Sequence, residues 1–273
     1  MVRSSKTSNK RRYYSFILMA KGVTLLELLI VMIIIGILAS AAVKTWDVTL
    51  ERQRVEETMR ELEEIGRAIV GDERLTYMGT RIDFGFVGDC GMLPRFLIDL
   101  AIRPDYVDTL LWKGPYVTSV FAENPRNFLI DAWGDSYKYY PESLIIRSFA
   151  GGSDVSYQKW LTKKLANSFS DLFNNEVSGI VYDAFGNTPD SAKANNILIT
   201  LFHPREGRLV IDSIHPRVGG NFIYSSVAIG KRRIVCVYRD TIQYDSIEKL
   251  ITVYPRIGAK NIELKFSRVN FQE

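Results

Sequence analysis

Apolar and polar positions divide the chain into stretches of different period. From Val23 to Val43 about twenty residues run with only Glu27 charged, the length a helix needs to cross ~30 Å of hydrocarbon. Beyond it Val55, Met59, Leu62, Gly66 and Ile69 recur at alternating intervals of four and three, with Ile65 and Ala68 beside them. That period predicts the apolar stripe of an amphipathic helix. On the opposite face Glu56 precedes Arg60 and Glu63 precedes Arg67 by one turn, the favourable order for ion pairs worth a few tenths of a kcal/mol each. The two halves together predict one helix from about Thr24 to about Val70, ~70 Å long at ~1.5 Å per residue. Lys44 stands where the helix leaves the span, and without a proline there no kink is expected. Gly36 and Ser40 form a small-xxx-small pair that would let another span approach closely.

Between Gly71 and Asp154 the pattern changes to short elements punctuated by Gly and Pro, which reads as a small α+β head. Gly91-Met92-Leu93-Pro94 followed by Phe96, Leu97, Leu100 and Ala101 predicts a short helix with Pro94 in its first turn. The block from Asp131 to Tyr140, a Pro141-Glu142 turn and Leu144 to Phe149 predict a hairpin. From Tyr157 to Phe173, Trp160, Leu161, Leu165, Phe169, Leu172 and Phe173 would line one side of a connecting helix. After Gly179 seven apolar segments follow: 180–182, 197–202, 209–214, 222–227, 233–238, 250–254 and 261–266. Their spacing and turn residues predict an antiparallel sandwich. The expected fold class is therefore α+β, a long N-terminal helix with a small head followed by an all-β sandwich. Its parts are a leader 1–22, a membrane half of the helix 23–43, an amphipathic half 44–72, a head 73–154, a connecting helix or linker 155–178 and a sandwich 179–273.

A carboxylate at bilayer depth costs a few kcal/mol unless it is paired, and no basic residue lies within the span beside Glu27. Cutting the chain after Gly22 would free an α-amino group on Val23 one turn away, able to neutralise Glu27 in the same subunit or in a neighbour. Residues 1–22 hold Arg3, Lys6, Lys10, Arg11, Arg12 and Lys21 and no acid, so the leader is expected in the cytoplasm and everything after Val43 outside it. An ordinary secretory signal has a shorter apolar core with small residues after it, whereas here the glycine precedes the core. A plain membrane anchor with Glu27 incidental is the other alternative. Lys21-Gly22 followed by Val23-Thr24-Leu25-Leu26-Glu27 resembles the class III signal of type IV pilins and type II secretion pseudopilins, with Val23 in place of the usual Phe. The resemblance implies cleavage after Gly22 by prepilin peptidase, N-methylation of Val23, and assembly of subunits through Glu27.

Asp131 can bond the amides of its turn, Trp133 supplies a large anchor and Gly134 permits a positive φ. With Trp112-Lys113-Gly114-Pro115-Tyr116, this turn resembles the head of the major pseudopilin of type II secretion, with Ala132 replacing the usual proline. Relatives of that kind carry a calcium loop after the hairpin. The corresponding Ala150-Gly151-Gly152-Ser153-Asp154 offers one carboxylate toward a shell of about six to eight oxygens, so Asp154 could serve calcium only with help from elsewhere. Otherwise the segment is a glycine turn. The segments 181–187, 222–224 and 230–237 look like transthyretin-like or carboxypeptidase-regulatory-like repeats.

The formal net charge of +4 sits largely in the leader, which gives no reason to expect nucleic acid as a partner. Cys90 and Cys236 could pair in an oxidising compartment or remain as buried thiols. His203 and His215, each in a His-Pro-Arg triplet, are expected at turns or strand ends, with a two-histidine metal site as the alternative. Lys231-Arg232-Arg233 reads as a charged turn between strands. Phosphate-loop, zinc-ribbon and nucleophile-elbow patterns are absent from the sequence, so the chain is expected to be non-enzymatic and to need no cofactor. The expected role is a structural subunit of a type II secretion or related type IV filament machine. Its expected partners are prepilin peptidase, homologous subunits, the inner-membrane assembly platform and the lipid bilayer. The alternative is a membrane-anchored binding or adhesion protein, or a type IV minor pilin, whose sandwich recognises a ligand.

Overall fold

The computed structural model describes residues 24–117, 127–154 and 157–272. The chain divides into two compact units, Met1–Glu51 and Arg52–Glu273, and one helix, α1 (Leu25–Val70), runs through the boundary. The long helix expected from the two apolar periods is therefore continuous, with no break near Lys44.

Over residues 25–43 α1 is apolar on every side, with Glu27 its one charged residue. None of its most hydrophobic stretch is buried, and Leu25, Met32, Ile37 and Leu38 all stand exposed. A helix that is hydrophobic all round and touches no core of its own is built for lipid or for other helices.

The second unit holds two cores. Leu62, Ile65, Ala68 and Ile69 of α1 pack with Phe86, Val87 and Cys90 of α2 (Gly85–Cys90) and with Leu100, Phe128 and Ile146. Each fully buried Leu, Ile or Phe contributes roughly 1.5–3 kcal/mol. The buried stripe is shorter than its sequence pattern: Val55 is half-buried and Met59 exposed, while Thr58 is buried. The charged face also pairs differently. Glu63 meets Lys163, a hundred residues on, at 2.6 Å, and Arg67 approaches Asp72, just past the helix end, at 3.8 Å, in place of the expected Glu63–Arg67 pair.

Around this core lie a small hairpin, β1 (Thr76–Tyr77) and β2 (Thr80–Arg81), and a three-stranded antiparallel sheet of β3 (Lys138–Tyr140), β4 (Ile145–Ser148) and β5 (Leu161–Lys164). The third strand corrects the connecting helix expected over Tyr157–Phe173. Leu161 and Lys163 turn inward and Thr162 and Lys164 outward, a period of two that pairs them with β4. The stem of Lys163 lies across Gly66, where an added Cβ would meet its Cε at 3.1 Å. Among the described residues there, helix is confined to a 3-10 turn over Tyr157–Lys159 and to α3 (Phe169–Phe173), capped by Ser168. Pro94 likewise precedes its element, a 3-10 turn over Leu97–Leu100 whose Asp99 accepts from the Phe96 amide.

The second core belongs to a sandwich. One sheet has the order β11 (Tyr244–Val253), β10 (Gly230–Arg239), β7 (Ile197–Arg205), β8 (Arg208–Ile214); the other has β12 (Ala259–Lys265), β6 (Asn175–Tyr182), β9 (Asn221–Val227). A short helix, α4 (Ser191–Asn195), precedes β7. All seven expected strands are present, but the sandwich is not wholly antiparallel, because β12 pairs with β6 in parallel. The chain leaves β11 at the head end, crosses to the other sheet through 254–258 and re-enters from the same end as β6.

Arg232 corrects the charged turn expected at 231–233. It lies inside β10, 4% exposed, with Nη1 donating to the Gly88 carbonyl at 2.8 Å and Nη2 donating to Ala228 at 3.0 Å and to Ile229. Its charge is held by carbonyls of α2 and of the strand connection. The same junction is closed by the β7–β8 turn, where the Gly207 amide donates to Cys90 at 2.9 Å. Arg232→Met should cost about 2–4 kcal/mol by leaving several buried carbonyls unpaired, read as a drop in urea midpoint. An unchanged midpoint would show that the junction does not depend on this side chain.

Candidate functional site

Gly22 and Val23, the expected cleavage and methylation positions, lie outside the described residues. Glu27 does not. Thr24 caps α1, its Oγ1 accepting from the Glu27 amide at 3.2 Å while its carbonyl accepts from Leu28 at 3.1 Å. Thr24-Leu25-Leu26-Glu27 has the spacing of a capping box, a signal that sequence reading could have used to place the helix start. The Glu27 side chain is exposed among Leu25, Leu26, Leu28 and Leu29, and no basic residue follows it in the chain before Lys44. Once that surface enters lipid or a bundle of helices, the carboxylate requires a cation from a chain terminus or a partner.

In the head, Asp131 is buried and organises its turn. Its Oδ1 accepts from the Trp133 amide at 3.0 Å and the Asp135 amide at 2.9 Å, and its Oδ2 accepts from Ser148 Oγ at 2.5 Å. Gly134 adopts a φ of 86°, and Trp133 lies against Gly151, where an added Cβ would meet the indole at 2.7 Å. The turn is fastened to α1, since the Ala132 amide donates to Thr58 Oγ1 at 3.2 Å and Tyr137 donates to Glu61 at 2.6 Å. Burial raises the Glu61 pKa above its usual value, opposed by that hydrogen bond. Sequence reading missed Thr58 and Glu61 because both interrupt the apolar period.

Trp112 donates its indole N–H to the Asp99 carbonyl at 3.2 Å, and Tyr116 hydroxyl and Lys113 ammonium both reach Asp89, at 3.1 and 2.8 Å. This segment is thereby stitched over α2. Asp154 is exposed, and the Ser153 carbonyl accepts from the Trp160 indole at 3.1 Å. Among the described residues no group of three or more His, Cys, Asp or Glu could hold a metal ion.

Cys90 and Cys236 are unbridged, one in each core, and burial pushes both thiols up to about 12. The histidines are not brought together. His215 bonds the Ile197 carbonyl at one end of β7, whereas His203 near the other end is 1% exposed, with Nε2 at 2.8 Å from Asp212 Oδ2. Its Nδ1 is buried without a partner among the described residues.

With the geometry in place, comparison with known proteins gives one informative match. Residues 18–43 match the prokaryotic N-terminal methylation motif. The motif supports a type IV pilin-like precursor processed by prepilin peptidase, and the apolar helix that begins within it fits a membrane anchor. No curated protein matches the sequence. Among solved structures, a Pseudomonas aeruginosa protein provisionally described as carbohydrate-binding is similar over 35% of this chain and 90% of its own, at 11% identity and a TM-score of 0.23. Catechol 1,2-dioxygenase from Acinetobacter sp. ADP1, inhibited by bound mercury, is similar over 38% of this chain and 56% of its own, at 11% identity and a TM-score of 0.26. Likenesses this low transfer neither fold nor activity.

Burial lowers the His203 pKa below 6.5, against the opposing pull of Asp212 and with the help of Arg205 and Arg232. The unfolded chain then takes up this proton first as pH falls. The stability owed to a neutral His203 is full above about pH 6.5 and is lost as pH drops through the folded pKa. Melting temperature should therefore fall between about pH 7 and about pH 5, and fall less in His203→Gln. Equal slopes for the two proteins would contradict this.

Proposed function

We propose that the chain is a structural, non-enzymatic subunit of a type II secretion or related type IV filament machine. The observation that carries this reading is the apolar surface of α1 over residues 25–43, with Glu27 its one acid, lying within the methylation motif. Cleavage after Gly22 leaves the Val23 amine one turn from Glu27. In the membrane the two charges neutralise one another or cross-pair between subunits; during assembly a neighbour's amine guides the incoming Glu27. The basic leader 1–22 holds the N-terminus in the cytoplasm, so the head and sandwich act outside the inner membrane, as periplasmic or surface parts of the filament. Partners on this reading are prepilin peptidase, homologous subunits and the assembly platform in the inner membrane.

A second reading, a membrane-anchored binding or adhesion protein or a minor pilin, is favoured by the outer face of the β11-β10-β7-β8 sheet. There Leu198, Ile211 and Leu250 are exposed beside Arg233, which lies 3.9 Å from the Phe202 ring centroid. On this reading the sandwich recognises a ligand and the helix serves as a stalk.

Glu27→Ala separates the two. The filament reading expects normal membrane insertion but about tenfold or more less protein in sheared filaments, because the guiding pair is lost. Equal incorporation of wild type and variant would sink the pairing mechanism.

A further inference from the structure

The two sheets of the sandwich end in β11, β8, β12 and β9, and three of these edges are guarded against pairing with another chain. The edge of β12 is broken by a register shift between Ala259 and Ile262 and carries Lys260 and Lys265. The edge of β9 is interrupted by a shift opposite Asn175 and Val177 and by Ser226 at a φ of 59°. Along β11, Lys249 Nζ donates to the Glu263 carbonyl at 3.2 Å and Asp245 accepts from the Ser267 amide at 2.8 Å, which ties that edge to β12 and the segment after it. β8 has none of these devices. Its residues Arg208-Leu209-Val210-Ile211-Asp212-Ser213-Ile214 include no lysine, proline or bulge, and among the described residues it pairs with β7 alone.

The β7–β8 turn fixes which backbone groups of β8 face outward. Glu206 and Gly207 have φ of 51° and 77°, a two-residue turn that leaves Arg205 and Arg208 as a mutually hydrogen-bonded pair. Alternation then turns the amides and carbonyls of Val210 and Asp212 to β7, and those of Leu209, Ile211 and Ser213 away from the sheet. The side chains of these three lie on the outer face, where Leu209 is 44% and Ile211 58% exposed. A row of alternating amides and carbonyls at strand spacing is matched by one kind of partner, an extended backbone.

We propose that β8 pairs with β8 of a second copy of this chain, antiparallel and centred on Ile211. In that register Ile211 faces its own counterpart and Leu209 faces Ser213 of the other copy, so every outward amide meets an outward carbonyl and two four-stranded sheets become one continuous sheet. The charges suit the same register. Arg205, Glu206, Arg208 and Asp212 along this edge sum to zero, so two copies meet without net repulsion. Among the described residues Arg208 has no acid within 4.0 Å, and across the pair it lies diagonal to Asp212 of the other copy, within reach of a long side chain. The two Asp212 are also diagonal to one another, and each is held in its own chain by His203 at 2.8 Å and Arg205 at 3.7 Å. The contact lies wholly in the sandwich and does not depend on the filament reading.

The test weighs the full chain in detergent micelles by analytical ultracentrifugation at about 100 µM, where the wild type should be dimeric. Ile211→Pro removes an amide that points away from β7, so the strand should stay folded, with the wild-type circular dichroism, while dimerisation weakens at least about tenfold. Ile211→Lys sets two like charges face to face on an exposed surface and should weaken the dimer to a similar extent, which keeps the test decisive should the proline variant unfold. Ile211→Cys should be cross-linked between copies by a short bis-maleimide, whereas Glu248→Cys, on the far edge strand β11, should not; Cys90 and Cys236 are buried and stay unlabelled. A monomeric wild type, including one whose β8 instead captures an unrelated extended peptide, would overturn the proposal. So would a dimer that survives in either folded variant, or cross-linking at Glu248→Cys equal to that at Ile211→Cys.

Discussion

A single carboxylate on a helix that has no core of its own sets the terms for the N-terminal unit. Residues 25–43 expose aliphatic side chains in every direction, so water is the wrong solvent for them, and lipid is the wrong solvent for Glu27. On the proposed reading both demands are met together when the chain is cut beside the acid and the new amine supplies the missing charge. The methylation motif over 18–43 says that the cut is made by prepilin peptidase.

The C-terminal unit solves a different problem, that of joining a head to a sandwich without mobile linkage. It does so with buried polar groups aimed at backbone. Arg232 spans from β10 to the α2 carbonyls, Asp131 gathers the amides of the head turn and Asp183 gathers those of a sandwich loop. Each satisfies donors or acceptors that would otherwise cost about 1–3 kcal/mol when buried. Charge at these positions serves geometry.

Long periods were legible from sequence and short ones were not. The long helix and all seven sandwich strands rest on repeats of 3.6 or 2 sustained over several residues, and they are where the pattern put them, while the amphipathic stripe is buried over only part of its expected length. The four residues of β5 sat inside an apolar spacing that also suits a helix, and only pairing with β4 decides between the two. The parallel partner of β12 depends on a crossover that no local pattern encodes. Arg232 looked like a surface charge because its neutralising partners are backbone carbonyls, which have no sequence signature. Asp131, Trp133 and Gly134 were readable because a turn is a local structure; the attachment of that turn to Thr58 and Glu61 was not, being more than seventy residues away.

The most direct measurement is the intact mass and N-terminal sequence of the mature chain isolated from cell membranes. The account requires a polypeptide that begins at Val23 and carries one added methyl group on its amine. A mature chain that begins elsewhere, or that retains residues 1–22, would leave Glu27 without its counter-charge and contradict the account.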